Sequence, residues 1–255
     1  MPGAVITRPR SIRSAVRSLP SDGPVHGLHL FLLRDFDLTN DGVRVGVSMS
    51  GQRVLAYLAL RDRPTTRIGV AGTLWAETPE DRAMANLRSA LWRLNRPGLR
   101  LVEATSTHLT LAPQIEVDLR ELIHGAVAAG ERSGPIDPRV MTGMARADEL
   151  LPGWYDDWVV FERERFRQLR LHALESLCTR LADEGEFALA IDMGLAAVAA
   201  DPLRETARRA LIRAFLAEGN RAEAIAEYLS YRRLLRMELD VAPSGHLEAM
   251  IESLR

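Results

Sequence analysis

An α+β unit followed by an all-α unit is the fold class this sequence predicts, and three observations carry it. Strand-like runs, three helices and a second strand pair follow one another over residues 28–111. From Val117 onward the texture is helix alone. Within that helical part, Gly185 and Gly219 stand 34 residues apart and their flanks match. The 255 residues give room for two ordinary units, and 47% hydrophobic with 26% charged residues describes a globular chain with real cores.

The formal net charge of −1 conceals a split. Residues 1–115 hold 15 Arg against 9 acids, and residues 116–255 hold 18 Arg against 25 acids. A basic first half suits a polyanion and an acidic second half suits a protein partner. Every basic residue is Arg, so lysine Schiff-base chemistry and a P-loop lysine are excluded. The one cysteine, Cys178, lies in an apolar helical pattern and reads as a small buried hydrophobe. An internal disulfide is impossible, and a cytoplasmic location is expected. Arg8, Arg10, Arg13 and Arg17 lie among Pro, Ser and Gly with no apolar signal-peptide region, so residues 1–26 are expected to be a disordered basic arm. No apolar run reaches the ~18 residues of a membrane span, so no membrane partner is expected.

In residues 28–47, Leu28, Leu30 and Leu32 alternate before Asn40-Asp41-Gly42, a strong turn signal, and Val43, Val45 and Val47 alternate after it. A hairpin or small antiparallel sheet is expected. Val54, Leu55, Leu58 and Ala59 give a helix over 50–61 that Pro64 stops; Ile68, Ala71, Leu74 and Trp75 give a second over 68–75. Thr78-Pro79-Glu80-Asp81 reads as a helix start, with Thr78 as capping hydroxyl and Pro79 in the first turn.

The third helix, over 83–96, splits into two faces at 100° per residue. Ala83, Leu87, Ala90, Leu91 and Leu94 make an apolar stripe. Arg82, Ala85, Ser89, Trp92, Arg93 and Arg96 lie opposite, with Arg88 at the margin and no acid among them. Such a face suits the major groove of DNA; taken alone it also suits water. Pro97-Gly98 ends the helix, and β-prone runs over 99–102 and 108–111 flank a hydroxyl-rich tip at 103–107. Strands, three helices and a hairpin are the order of a winged helix-turn-helix, whose last helix enters the groove and whose wing touches the backbone. Arg82, Arg88, Ser89, Trp92, Arg93 and Arg96 on the helix are therefore the candidate DNA-binding residues. Thr105, Ser106, Thr107 and His108 are their counterparts on the wing. Arg88 is the best placed for a bidentate guanine contact, Trp92 for a thymine methyl or sugar, and Arg93 and Arg96 for phosphates.

The second part reads as helices over 117–130 and 139–150, a linker at 133–138, a long helix over 156–184, and further helices from Phe187, Leu203, Ala222 and Ser244. Aligning Gly185 with Gly219 pairs Leu177 with Leu211, Ala188 with Ala222, Ala190 with Ala224 and Ile191 with Ile225. That period is of the tetratricopeptide type, with a plain helical bundle as the alternative. Glu162, Arg163, Glu164 and Arg165 read as a solvated charge face. Trp154, Tyr155 and Trp158 read as a plug between helices or as a pocket.

No constellation points to an enzyme or a cofactor. The six histidines show no metal-ligand spacing, and no G-x-S-x-G, G-x-G-x-x-G or Walker pattern occurs. Gly69 and Gly72 in a helix suggest close helix packing.

SGQRVLAYLAL, the Leu74-Trp75 pair, ANLRSALWRLNRPG, LVEATSTHLTLAPQIEVDL, LLPGWYDDWVVFERERFRQLRLHALE and YRRLLRMELDVAPSGHLEAMI occur in that order. In this order and spacing the chain resembles the Streptomyces antibiotic regulatory protein (SARP) family from about residue 27 to 255. The resemblance implies an OmpR-like winged helix over 27–115 joined to a tetratricopeptide-like bacterial transcriptional activation domain over 116–255. It further implies a transcription activator that binds direct repeats near promoters as a homodimer, recruits RNA polymerase and serves antibiotic biosynthesis genes. Residues 76–81 would touch the polymerase, and Asn95-Arg96 stands where relatives often carry two basic residues. Two other functions stay open on the residues alone: a helical-repeat interaction scaffold, and a regulator that senses a small molecule on its helical surface.

Overall fold

The computed structural model describes residues 27–252 except 62, 132–135 and 148. The basic arm expected over 1–26 and the first half of the linker, 133–135, lie outside the described residues. The chain is mixed α+β at its start and helical thereafter.

Strands β1 (Leu28–Phe31), β2 (Asp37–Asn40) and β3 (Val43–Arg44) form an antiparallel meander, with Asn40-Asp41-Gly42 turning β2 into β3. The expected sheet is there, but its fourth strand is β7 (Ile115–Val117), which pairs parallel with β1 to give the order β3-β2-β1-β7. Ile115 and Val117 are buried and Glu116 is exposed, the alternation of a strand. The helix that starts at Asp118 continues straight from this strand and masks it in the sequence. Helices α1 (Met49–Ala59), α2 (Arg67–Leu74) and α3 (Glu80–Leu94) follow the sheet. Between α1 and α2 a two-residue strand, β4 (Thr65–Thr66), joins β5 (Val102–Ala104) and β6 (His108–Leu111) in a second sheet of order β4-β6-β5. β5 therefore begins three residues later than the expected 99–102, because Leu99 is held in a tight turn against Arg96.

The start of α3 also departs from expectation. Pro79, not Thr78, is the cap: its extended backbone sends its carbonyl to the Ala83 N–H at 2.9 Å, and no side chain caps the turn. Gly69 and Gly72 are not helix-packing contacts. A Cβ on Gly72 would meet open space, and one on Gly69 would meet only the Thr66 hydroxyl.

Helices α4 (Asp118–Glu131), α5 (Pro138–Arg146), α6 (Asp157–Asp183), α7 (Phe187–Ala200), α8 (Glu205–Glu218), α9 (Arg221–Glu238) and α10 (Gly245–Glu252) complete the chain. α5 stops short of the expected 150. Arg170 donates to the carbonyls of Met144 and Ala145 at its end, and Leu150 bridges to Leu33 of the sheet region. Gly185 and Gly219, 34 residues apart, both follow a helix in the left-handed region, φ 82° and 89°, where a side chain would be strained. Their flanks share environments as well as residues: Leu177 with Leu211 and Ala190 with Ala224 are fully buried.

One apolar core runs from Leu28 in β1 to Ala214 in α8, and a smaller one joins α8, α9 and α10 through Ile212, Tyr231 and Ile251. The sheet region and the helices are thus joined by a packed junction. Tyr57 and Trp158 meet edge to face at 5.4 Å, Trp154 meets Trp158 at 6.3 Å, and Phe36 stacks on Trp154. Of the aromatic trio, Tyr155 alone points outward, 86% exposed.

The run Glu162–Arg165 is a solvated face only in part: Glu164 and Arg165 are exposed and make i,i+3 ion pairs, whereas Glu162 and Arg163 turn inward. Glu162 is 4% exposed and takes Arg61 at 3.1 Å and Arg165 at 3.4 Å. Arg163 donates to the carbonyls of Leu150, Leu151 and Trp154. The reason is position: this turn of α6 lies against the end of α1, a contact that local charge spacing does not encode. Cys178 is fully buried and burial pushes its thiol up to about 11, which leaves it unreactive. Among the described residues no helix is long and apolar enough to cross a membrane.

Candidate nucleic-acid interface

α3 is held by its apolar stripe. Ala83, Leu87, Ala90, Leu91 and Leu94 are all buried. Five such side chains at 3–4 spacing fix the rotation of the helix, so the opposite stripe has one possible direction, outward. Arg82, Arg88, Ser89, Arg93 and Arg96 are exposed, and Trp92 is 81% exposed. An indole in water is an unsatisfied apolar surface on an otherwise polar face.

Arg82, Arg88 and Arg93 have no carboxylate partner and no hydrogen bond among the described residues. The two acids of α3, Glu80 and Asp81, sit in its first turn, where they favour the helix N-terminus; Arg82 follows them in that turn, and Arg88 and Arg93 lie in later turns. Ser89 donates its hydroxyl proton back to the Ala85 carbonyl at 3.0 Å, which leaves its oxygen as an acceptor. Arg96 differs from the other arginines. Its guanidinium donates to the Gly46 carbonyl at 3.1 Å, tying the end of α3 to the segment before α1.

The hairpin tip is a built turn. Thr105 Oγ1 accepts from the N–H groups of Thr107 at 3.3 Å and His108 at 2.9 Å. Thr107 Oγ1 lies 2.9 Å from His108 Nδ1. Thr105 therefore shapes the tip, while Ser106 stands exposed at its apex. All four tip residues are exposed, and the hairpin that carries them packs against α1, with Leu109 and Leu111 of β6 buried.

Sequence reasoning missed Arg67. Its N–H donates to the Thr107 carbonyl at 2.9 Å and its guanidinium to the Thr105 carbonyl at 2.8 Å, so the first residue of α2 braces the tip. The available signal was Thr65-Thr66, two β-branched residues before a helix, but a strand so short has no periodicity to read.

A second feature ties this surface to the helical part. Arg53 of α1 pairs with Asp156, the cap of α6, and its guanidinium lies 6.0 Å from the Trp75 ring at the end of α2. Asp118, at the start of α4, accepts from the N–H groups of Leu32 at 3.0 Å and Leu33 at 3.1 Å and fixes the exit of β1. Burial pushes its carboxyl up to about 6 against the pull of these donors. No group of three or more metal-ligating side chains comes together among the described residues.

Comparison with known proteins gives the surface its setting. A model of the bacterial transcriptional activator domain matches residues 145–255. The regulatory protein AfsR of Streptomyces coelicolor is 31% identical over 221 residues, which cover 82% of this chain and 22% of that protein. AfsR of Streptomyces griseus is 31% identical over 211 residues, 76% of this chain and 21% of its own length. The chain thus spans about a fifth of the length of the curated relatives it matches. Mycobacterium tuberculosis EmbR, solved in complex with a low-affinity phosphopeptide, superposes with a TM-score of 0.69 at 20% identity. That match covers 89% of this chain and 64% of EmbR, and it is a likeness of fold. The chain thus carries a bacterial transcriptional activator domain over residues 145–255 and is similar to the regulatory protein AfsR across most of its own length.

Proposed function

We propose that α2, α3 and the β5–β6 hairpin form a winged helix-turn-helix that reads double-stranded DNA, with α3 in the major groove. The observation that carries this reading is the set of cations Arg82, Arg88 and Arg93 on one rigid helix face with no internal partner. An unpaired arginine cluster beside an exposed indole repels itself unless an anion joins it, and DNA supplies phosphates for the charges and base edges for the guanidinium forks. In this reading Arg88 takes a guanine edge, Trp92 a thymine methyl or sugar, and Arg82, Arg93 and Arg96 phosphates. Ser89 accepts from a base or backbone donor, and Ser106, Thr107 and His108 meet the backbone from the wing.

The helical part acts as the activation module. Its hairpins stack in the tetratricopeptide manner, as the shared burial of Leu177 with Leu211 and Ala190 with Ala224 supports. The family resemblance read from the sequence extends the proposal to a homodimer on direct repeats near promoters. There it recruits RNA polymerase, with antibiotic biosynthesis genes as targets. The test uses the whole chain, because the core is continuous across the junction. Gel shifts on promoter fragments are repeated from about 50 to 200 mM salt, and log affinity should fall with log salt at a slope of about −3 to −4 per protomer. An absence of salt-dependent binding overturns the reading.

A further inference from the structure

The last turn of α3 and the segment between β3 and α1 enclose a groove of about 450 Å³. Its walls are Val45, Val47, Leu94 and Leu101, and Leu94 and Leu101 are buried beneath it. Its rim carries Trp92, Arg93 and Arg96, and no carboxylate lines it. The groove is therefore apolar at the bottom, aromatic on one side and cationic at the mouth. A sugar-phosphate chain would use the arginines and leave the apolar floor unused. A molecule with an apolar body and one anionic group uses both, and the volume lies in the range of small-ligand sites, roughly 300–1,000 Å³.

We infer that this groove binds an amphipathic organic anion, an aromatic or alicyclic carboxylate or sulfonate, and that the bound anion excludes DNA. The apolar body lies on Val45, Val47 and Leu101 with one edge against the Trp92 ring, and the acid group meets Arg93 and Arg96. Exclusion follows from shared residues. Trp92 and Arg93 cannot serve a ligand in the groove and the DNA beyond it at once. This second half rests on the DNA-binding reading above; the groove itself does not.

The test uses the whole chain and two fluorescent probes of near-identical shape, 8-anilinonaphthalene-1-sulfonate and its neutral counterpart N-phenyl-1-naphthylamine. The sulfonate should bind one per protomer and at least about tenfold more tightly than the neutral dye. Arg96→Gln should remove that preference. Gly46 lines the groove with open space where a Cβ would stand and without a left-handed backbone, so Gly46→Trp should fold and weaken both dyes about tenfold. Circular dichroism and unfolding midpoints check both variants, and Arg96→Gln decides the charge arm by itself if Gly46→Trp does not fold. Saturating promoter DNA should release the sulfonate. Equal affinity for the two dyes, or sulfonate binding unchanged in both folded variants, overturns the site. Dye fully retained on a DNA complex visible by gel shift overturns the exclusion. Failure to bind any DNA sinks the DNA-binding reading and the exclusion, while the dye titrations still decide the groove.

Discussion

On α3, Arg82, Arg88 and Arg93 project into water with no partner, whereas at the sheet–helix junction the same residue type is consumed internally. Arg120 donates to the carbonyls of Leu58, Ala59 and Arg61 and closes the end of α1. Arg163 and Arg170 do the same for the chain around Leu150 and for the end of α5. Arg61 is held between the Glu162 carboxylate and the Tyr57 ring. In a chain with no lysine, a count of cations therefore says little about where an anion binds. The separating property is whether the guanidinium has acceptors in its own fold. A five-donor fork buried among free helix carbonyls is structural, and the same fork on a face without acceptors awaits a ligand.

The contrast can be broken first at the junction. Glu162→Ala takes the buried carboxylate from Arg61, while the largely exposed Arg165 stays solvated, and should cost about 2 kcal/mol in urea unfolding. A loss below about 1 kcal/mol would make the junction charges dispensable. Next comes Asp118. Its carboxyl keeps a proton to about pH 6 in the fold but only to the ordinary 3.8 in the unfolded chain. Between those values the folded state binds more protons, so this group's contribution to stability falls as pH rises from about 4 to 6 and is level above. Asp118→Asn should remove a decline of about 2 kcal/mol across that window; an identical pH profile in the variant would place the titration elsewhere.

On the α3 side the signs reverse, with binding affected and stability spared. Arg88→Ala should weaken DNA binding by roughly 1–2 kcal/mol and relax the preference at one base pair, with unfolding changed by less than about 0.5 kcal/mol. A loss equal for all sequences would turn Arg88 into a phosphate contact. The smallest effect is Arg93→Ala, which should lower the salt slope by about one unit per protomer with little change in sequence preference. An unchanged slope would take Arg93 out of the interface.

The face assignment of α3 was legible in the sequence because it rests on local periodicity: five apolar positions at 3–4 spacing fix a helix rotation without any tertiary knowledge. The 34-residue interval between Gly185 and Gly219 was legible for the same reason, while their left-handed backbone after α6 and α8 emerges only in the structure. What escaped was non-local. β7 pairs with a strand 87 residues away, from Leu28 to Ile115, and its three residues run straight into α4. Glu162 and Arg163 show the helical spacing of a solvated surface, and only the approach of α1 and the chain around Leu150 buries them. Arg67 acts through a two-residue strand too short for a pattern. The groove beside Trp92 escaped as well, since it is assembled from segments about 50 residues apart.

The parallel pairing of β1 with β7 also sets an order on the birth of the molecule. During synthesis the chain emerges N-terminus first. β1 reaches solution with one edge open and with the Leu32 and Leu33 amides unmatched, and both deficits persist until residues 115–118 have left the ribosome. Every element of the proposed DNA-binding surface is translated inside that interval. The α1–α3 and hairpin segment is therefore complete in sequence before the sheet beneath it is closed, and a chain cut between residues 115 and 116 would sever β7 and lose Asp118. Closing so long a loop is slow compared with forming α1 to α3. Nascent chains stalled before residue 118 should accordingly carry helical signal without the protected β1 amides that mature chains show in hydrogen exchange.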